Sequence, residues 1–277
     1  MNENENLLEN VDVPYSTAEL KAIQESDKKK DNIINLICNI IFTVIYLSSL
    51  TYGIIRAFDP EYQSKAFLII IESFFCSIIP FGYFLVEKYF RLELKPSIRI
   101  GIEIFALLGS VVGETFEFYY RVNGFDKFLH GFSGFFITFL VYCIAANYCK
   151  DKENIKNKVL FATLISFLAS CTIALNWEIY EHIVDVLCGT NMQKFMPENY
   201  LFNGGNTFAP LNGTAEEIAA FYSQPYGYSY ALQDTMGDIT IATLCTTIFN
   251  LLAITINKIA KRDVFDSMIT IRKKENV

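Results

Sequence analysis

Four stretches of this chain set acidic or imidazole side chains directly against apolar sequence. Glu114 and Glu117 close one apolar run, and Asp126 and His130 open the next. Glu178, Glu181, His182 and Asp185 end a third, and Asp234 and Asp238 begin a fourth. Ionisable groups this close to hydrocarbon are costly, so a functional site is the default reading at each place. Spacing gives each set a common helical face. Glu114/Glu117 lie three apart and Asp126/His130 and Asp234/Asp238 four apart, while Glu178, Glu181, His182 and Asp185 follow i, i+3, i+4, i+7.

Charge dictates what such a set can do. Eight carboxylates with only Arg121 and Lys127 nearby cannot all stay ionised in a low dielectric; they take up protons or bind a cation. Carboxylates with one or two imidazoles suit Mn, Fe or Zn, and an all-oxygen set suits Mg or Ca. The expected ligands of a divalent metal ion (Mn, Zn, Fe or Mg) are therefore Glu114, Glu117, Asp126, His130, Glu178, Glu181, Asp234 and Asp238. A bound cation polarises a phosphoryl or acyl oxygen or activates water, with Glu181 or His182 as the catalytic acid–base group. That is the chemistry of a metal-dependent membrane hydrolase or transferase acting on a lipid or small molecule. The alternatives are a cation or proton transporter, with Glu72 and Glu103 continuing the route, and a structural or sensory protein. Singly, an acid at a helix end is usually interfacial and solvated, Glu117 and Asp185 above all, and Trp177 reads as an interfacial anchor.

The elements that must position these groups are membrane helices. The chain has 277 residues, 52% hydrophobic, and long uncharged runs alternate with short charged ones. Mean hydropathy is +0.28. A formal charge of −7 argues against a nucleic-acid partner, which calls for clustered Lys and Arg on an exposed face. Five of the seven cysteines fall inside apolar runs, with no C-x-x-C pair, so neither a disulfide framework nor a zinc framework is expected.

The fold class is an all-α polytopic membrane bundle. Six spanning helices are predicted at about 33–55, 66–86, 98–120, 127–148, 158–187 and 231–257, each near or above the ~20 residues required. Residues 1–30 form a polar cytoplasmic tail, in which Ser16-Thr17-Ala18-Glu19 reads as a capping box for a short helix over 17–24. Residues 31–260 form the transmembrane domain and 261–277 a basic cytoplasmic tail. Eighteen of the twenty-three Lys and Arg fall on one side of this topology, which puts both termini in the cytoplasm and the polar sets at the outer face of the plasma (inner) membrane. The long connection 188–229 then lies outside, as a lid over the site. Asn212-Gly-Thr214 fits a glycosylation sequon, to which no function attaches. The lipid bilayer is the expected surrounding.

Three motifs carry a family resemblance: Phe125-Asp-Lys-Phe-Leu-His-Gly131, Trp177-Glu-Ile-Tyr-Glu181 and Asp234-Thr-Met-Gly-Asp238. In this order, over about 110–240, they resemble the YjdF-like family of uncharacterised bacterial multi-pass membrane proteins. The Asp-Lys-x-x-His element is also similar to the start of VanZ-like membrane proteins, whose Gln/Arg-containing second motif is absent here. The YjdF-like resemblance implies a helical inner-membrane protein with the same polar positions and implies no activity.

Overall fold

The computed structural model describes residues 16–149, 154–188, 190, 192–193, 229–265 and 268–271. Helix α1 runs over Thr17–Arg56 and a single 3-10 turn, Pro60–Tyr62, leads to α2, Gln63–Phe90. A short strand β1, Leu92–Leu94, precedes α3, Pro96–Leu107, which continues as a π-helix over Leu108–Thr115. Then come the short α4, Phe118–Arg121, and the long α5, Phe125–Tyr148, α6, Ile155–Cys188, and α7, Ser229–Ala260, followed by β2, Ile269–Ile271. Six of these segments are long and apolar enough to cross a membrane, so the chain is an all-α polytopic bundle. Alternating direction leaves the two ends of the described chain on the same side.

Local chemistry explains the boundaries. The capping box forms as expected: Ser16 N donates to Glu19 Oε2 at 2.7 Å and Glu19 N to Ser16 Oγ at 3.3 Å. Those bonds hold the Glu19 carboxyl below the usual carboxylate range. The short helix over 17–24 is no separate element, because nothing stops it and it continues into the first span. The helix expected over 98–120 is also broken. After Leu107 the backbone winds with i→i+5 bonds, such as Phe116 N to Val111 O at 2.9 Å, and Glu117 then takes a left-handed φ of 60°. A turn at Asn123-Gly124 follows, with Gly124 at φ 78° heading α5.

Helices α5, α6 and α7 pack together along their lengths, α1 pairs with α2, and α3 with its π segment joins the two groups. With lipid as the alternative environment, close backbone approach and interhelical hydrogen bonds must hold such a body together. Helices α5 and α7 run parallel in a fixed register, shown by Thr138 Oγ1 donating to Thr246 Oγ1 at 3.1 Å and Gly134 abutting Ala242. The Gly134 carbonyl is a hub, accepting from Thr246 at 3.1 Å and from Ser170 of α6 at 3.3 Å. On the opposite face of α5 an aromatic stripe, Phe128, Phe132 and Phe136, stacks on itself and on Phe105 of α3. Exposed Ile55, Phe75, Phe81, Phe84 and Leu168 form an apolar outer surface suited to lipid contact.

The end carrying both ends of the described chain is latched. Strands β1 and β2 pair antiparallel, Leu94 opposite Ile269, a feature the sequence reading did not expect. Asn147 Nδ2 donates to Ile269 O at 2.7 Å, and Lys158 pairs with Asp263 at 3.3 Å with both side chains buried. Asn257 donates to Tyr142 Oη at 2.7 Å and accepts from Val264 N at 3.0 Å. Asn257→Ala orphans that buried N–H, a loss of about 1–3 kcal/mol. Limited proteolysis is expected to cut beyond residue 260 faster in this variant while the helical body stays intact; unchanged cleavage would show that the latch lies elsewhere.

Candidate metal centre

At the other end of α5, α6 and α7 the polar stretches meet. His130 Nε2 lies 3.6 Å from Asp126 Oδ1, 3.9 Å from Glu181 Oε1 and 3.9 Å from Asp238 Oδ1. His130 Nδ1 lies 3.5 Å from Glu178 Oε1. Ligand atoms of Asp126, His130 and Asp238, and separately of His130, Glu178 and Glu181, lie within 4.8 Å of one another, all in buried side chains. Parallel packing causes this convergence: one helical turn from the Gly134–Ala242 contact come His130 on α5 and Asp238 on α7.

Cations of the chain hold the flank of this group. Lys127 Nζ donates to Asp234 Oδ1 at 2.5 Å and to Asp238 Oδ2 at 2.7 Å, and lies 3.8 Å from Asp126. Asp238 is fully buried, yet among the described residues its Oδ1 has no hydrogen-bond partner, and neither has either carboxylate oxygen of Glu178. Buried oxygens without donors are expensive unless a positive group completes them. Trp177 Nε1 donates to Glu181 Oε1 at 2.7 Å and fixes that carboxylate.

The remaining expected residues are placed differently. Glu117 is buried against Arg121 at 2.5 Å, Lys65 at 3.6 Å and the Tyr62 hydroxyl, outside the His130 group. The π turn and the left-handed bend at Glu117 take it off the stripe that an unbroken helix would give. Glu114 is buried within electrostatic reach of Lys65 and Glu72, on the far wall of a cavity it shares with His130. His182 is exposed, its Nδ1 3.0 Å from Gln193 Oε1. On α6 it falls about 100° round the helix from Glu181, so the two flank Glu178 on opposite sides. Asp185 accepts from Thr190 Oγ1 at 2.5 Å, Met192 N at 2.7 Å and Gln193 N at 2.9 Å, so it fastens the segment after α6. Most of the connection 188–229 lies outside the described residues, the sequon at 212–214 included.

The cavity measures about 500 Å³ and is bounded by α2, α3 with its π segment, α5 and α6. Tyr119 and Tyr120 line it. Burial first, then the neighbouring acids Glu72 and Glu114, push both phenols well above their ordinary range, so they act as neutral donors or acceptors. Tyr119 lies flat on Gly113, where a Cβ would displace its ring. Sequence reasoning missed these tyrosines, the role of Trp177 and the Lys127 bridge. Of these, only Asp126-Lys127 carried a local signal, a cation beside the first acid of α5.

A family described as predicted membrane protein (DUF2238) matches residues 38–258, which include all six spans in whole or in large part. The chain belongs to the DUF2238 family. A relative from Thermotoga maritima, named only as an uncharacterized protein, is 29% identical over 122 residues, 44% of this chain and 62% of that protein. The matched part of the chain thus spans less than two thirds of that relative's length. No solved structure matches. Membership in DUF2238 is consistent with the YjdF-like resemblance, and neither the family's description nor the relative's name states an activity.

Proposed function

We propose that this DUF2238 protein is a metal-dependent membrane hydrolase or transferase whose cation is held by Asp126, His130 and Asp238. One observation carries the reading: fully buried Asp238 spends Oδ2 on Lys127 and turns toward His130 Nε2 an Oδ1 without a hydrogen-bond partner among the described residues. One nitrogen with two carboxylates suits Mn, Fe or Zn better than Mg. Glu178, beside Nδ1, is placed to accept that proton in the loaded site, which leaves Nε2 as the ligand and sets the ring's orientation. When bound, the cation supplies Lewis acidity toward a phosphoryl or acyl oxygen and lowers the pKa of water. Glu181, steadied by Trp177, is the carboxylate placed to exchange a proton with the reacting group, and Tyr119 and Tyr120 offer neutral hydroxyls to the substrate's polar end. The excess of Lys and Arg on the terminal side supports an extracytoplasmic site in the plasma membrane.

Transport is the competing reading. Glu72 lines the cavity, but Glu103 does not; Tyr46 seals it at 3.0 Å. Elemental analysis of purified protein tests the proposal. An ion is expected to co-purify in stoichiometric amount with wild type and to be lost in Asp238→Asn and His130→Ala, with no cation flux in liposomes. Metal-free wild type whose Tm ignores added Mn, Fe and Zn sinks the proposal, and a flux abolished by Glu103→Gln replaces it with transport.

A further inference from the structure

We propose that the cavity beneath the His130 cluster holds the hydrocarbon chain of a lipid whose phosphoryl head lies at the cluster. The headgroup half of this proposal rests on the cation reading above; the chain half rests on the cavity itself. On α5 the lining runs from Asp126 to Ile137, and on α6 from Glu181 to Ser170. Eleven residues at 1.5 Å each give about 16 Å of depth. That is roughly half of a ~30 Å hydrocarbon core, reached from the interfacial level. The volume of about 500 Å³ lies within the range of small-ligand pockets.

Polarity falls with depth along α5 and α6, while Glu72 and Glu114 face the cavity from α2 and the π segment. The top carries Glu181, Asp126 and the two tyrosines, whereas Phe105, Ile137 and Ile173 line deeper wall. The serines of that wall turn their protons away from it. Ser110 donates to Ala106 O at 2.9 Å, Ser133 to His130 O at 2.8 Å and Ser170 to Gly134 O at 3.3 Å. Hydroxyls with their protons spent on the backbone leave a wall of mostly apolar contacts along α5 and α6, which suits an alkyl chain. The route in is lateral. Phe75 of α2 and Ile173 of α6 line the cavity and are both exposed, and these two helices are not packed together. A side gap at hydrocarbon level admits a lipid tail without passage through water.

Photo-crosslinking in liposomes tests this. One probe is a phospholipid with a diazirine at the middle of one acyl chain, a second is a polyprenyl phosphate with a diazirine in its chain, and a soluble diazirine-labelled glycerol phosphate is the third. At least one chain probe is expected to label the peptides holding Ile71–Cys76 and Ser170–Ala174. In Ala174→Phe, and independently in Gly109→Leu, that labelling is expected to fall about tenfold, equivalent to ~1.4 kcal/mol of lost chain binding, at unchanged metal content. Which chain probe labels identifies the lipid class. Labelling confined to outward positions such as Phe84 and Leu160 and indifferent to both variants overturns the proposal, as does equal labelling by the soluble probe. Metal content read on the same samples keeps the two failures apart: cavity labelling in metal-free wild type removes the headgroup half alone.

Discussion

Gly134→Val is expected to be the most damaging single substitution in the spanning helices, lowering Tm by about 5–15 °C and removing the metal with it. The Ala242 carbonyl carbon and Cα lie 2.9 Å from where a Cβ on Gly134 would stand, with the carbonyl oxygen closer still. The obstacle is backbone, so no rotamer change relieves it and α5 must move away from α7. Overpacking costs ~1–3 kcal/mol even where side chains can shift. Separation also breaks the two hydroxyl bonds between these helices, Thr246 to the Gly134 carbonyl and Thr138 to Thr246, each worth ~0.6 kcal/mol in membrane interiors. A total of roughly 2–4 kcal/mol at 2–4 °C per kcal/mol gives the stated shift. His130 and Asp238 sit one turn away, so the same displacement opens the ligand set. Gly131→Ala is the control: its Cβ would meet only side chains, Cys245 Sγ at 3.3 Å and Ile241 at 3.5 Å, and should cost about 1 kcal/mol or less. Thermal unfolding and metal content of the two variants decide the matter. A Gly134→Val protein with wild-type Tm and a full complement of metal would falsify the claim that this contact sets the site.

Much of the architecture is legible in the sequence because a bilayer imposes it. Helices must run ~20 residues without charge, so the number of spans and the level of the acidic sets follow from counting. The meeting of Asp126, His130, Glu178, Glu181 and Asp238 follows less directly. It needs the parallel register of α5 on α7, a relation between residues about 108 apart that nothing in either helix alone encodes. Local periodicity marks Gly134 and Thr138 on one helix and Ala242 and Thr246 on the other as small or hydroxylated at four-residue spacing, the raw material of such a contact. It does not say which pairs with which. Equal-looking acids are also sorted by tertiary neighbours: Glu117 goes to Arg121 and Lys65, Asp234 to Lys127, and Asp185 to the segment after α6. The π-helix was hidden for a different reason. Leu108–Thr115 reads as ordinary apolar helix, and the i→i+5 winding appears only where Thr115 bonds Ser49 at 2.6 Å and Tyr119 settles on Gly113. Strand pairing of β1 with β2 joins segments some 175 residues apart and leaves no periodic trace in three residues.

Lys127→Met separates a metal centre from a plain lysine–carboxylate network, because the two respond to added metal in opposite ways. Lys127 is the cation that the chain itself supplies to Asp234 and Asp238. Removing one partner of a fully buried ion pair costs ~3–5 kcal/mol. The Lys127 side chain is 35% exposed, so solvent screens part of that and about 2–3 kcal/mol is expected. Metal-free Lys127→Met should therefore unfold about 5–10 °C below metal-free wild type. A divalent ion at His130 and Asp238 Oδ1 then stands next to the carboxylate that has lost its lysine and supplies part of the missing charge. Ligand that binds only the folded chain stabilises it by RT ln(1 + [L]/Kd). The Tm rise on adding metal should accordingly be larger in Lys127→Met than in wild type, and close to zero in His130→Ala with Lys127 intact. If Lys127 is instead the cluster's sole positive partner, Lys127→Met falls just as far and no concentration of Mn, Fe or Zn recovers it. The comparison needs only thermal scans of three proteins with and without metal, and the sign of the change in metal response decides between the two.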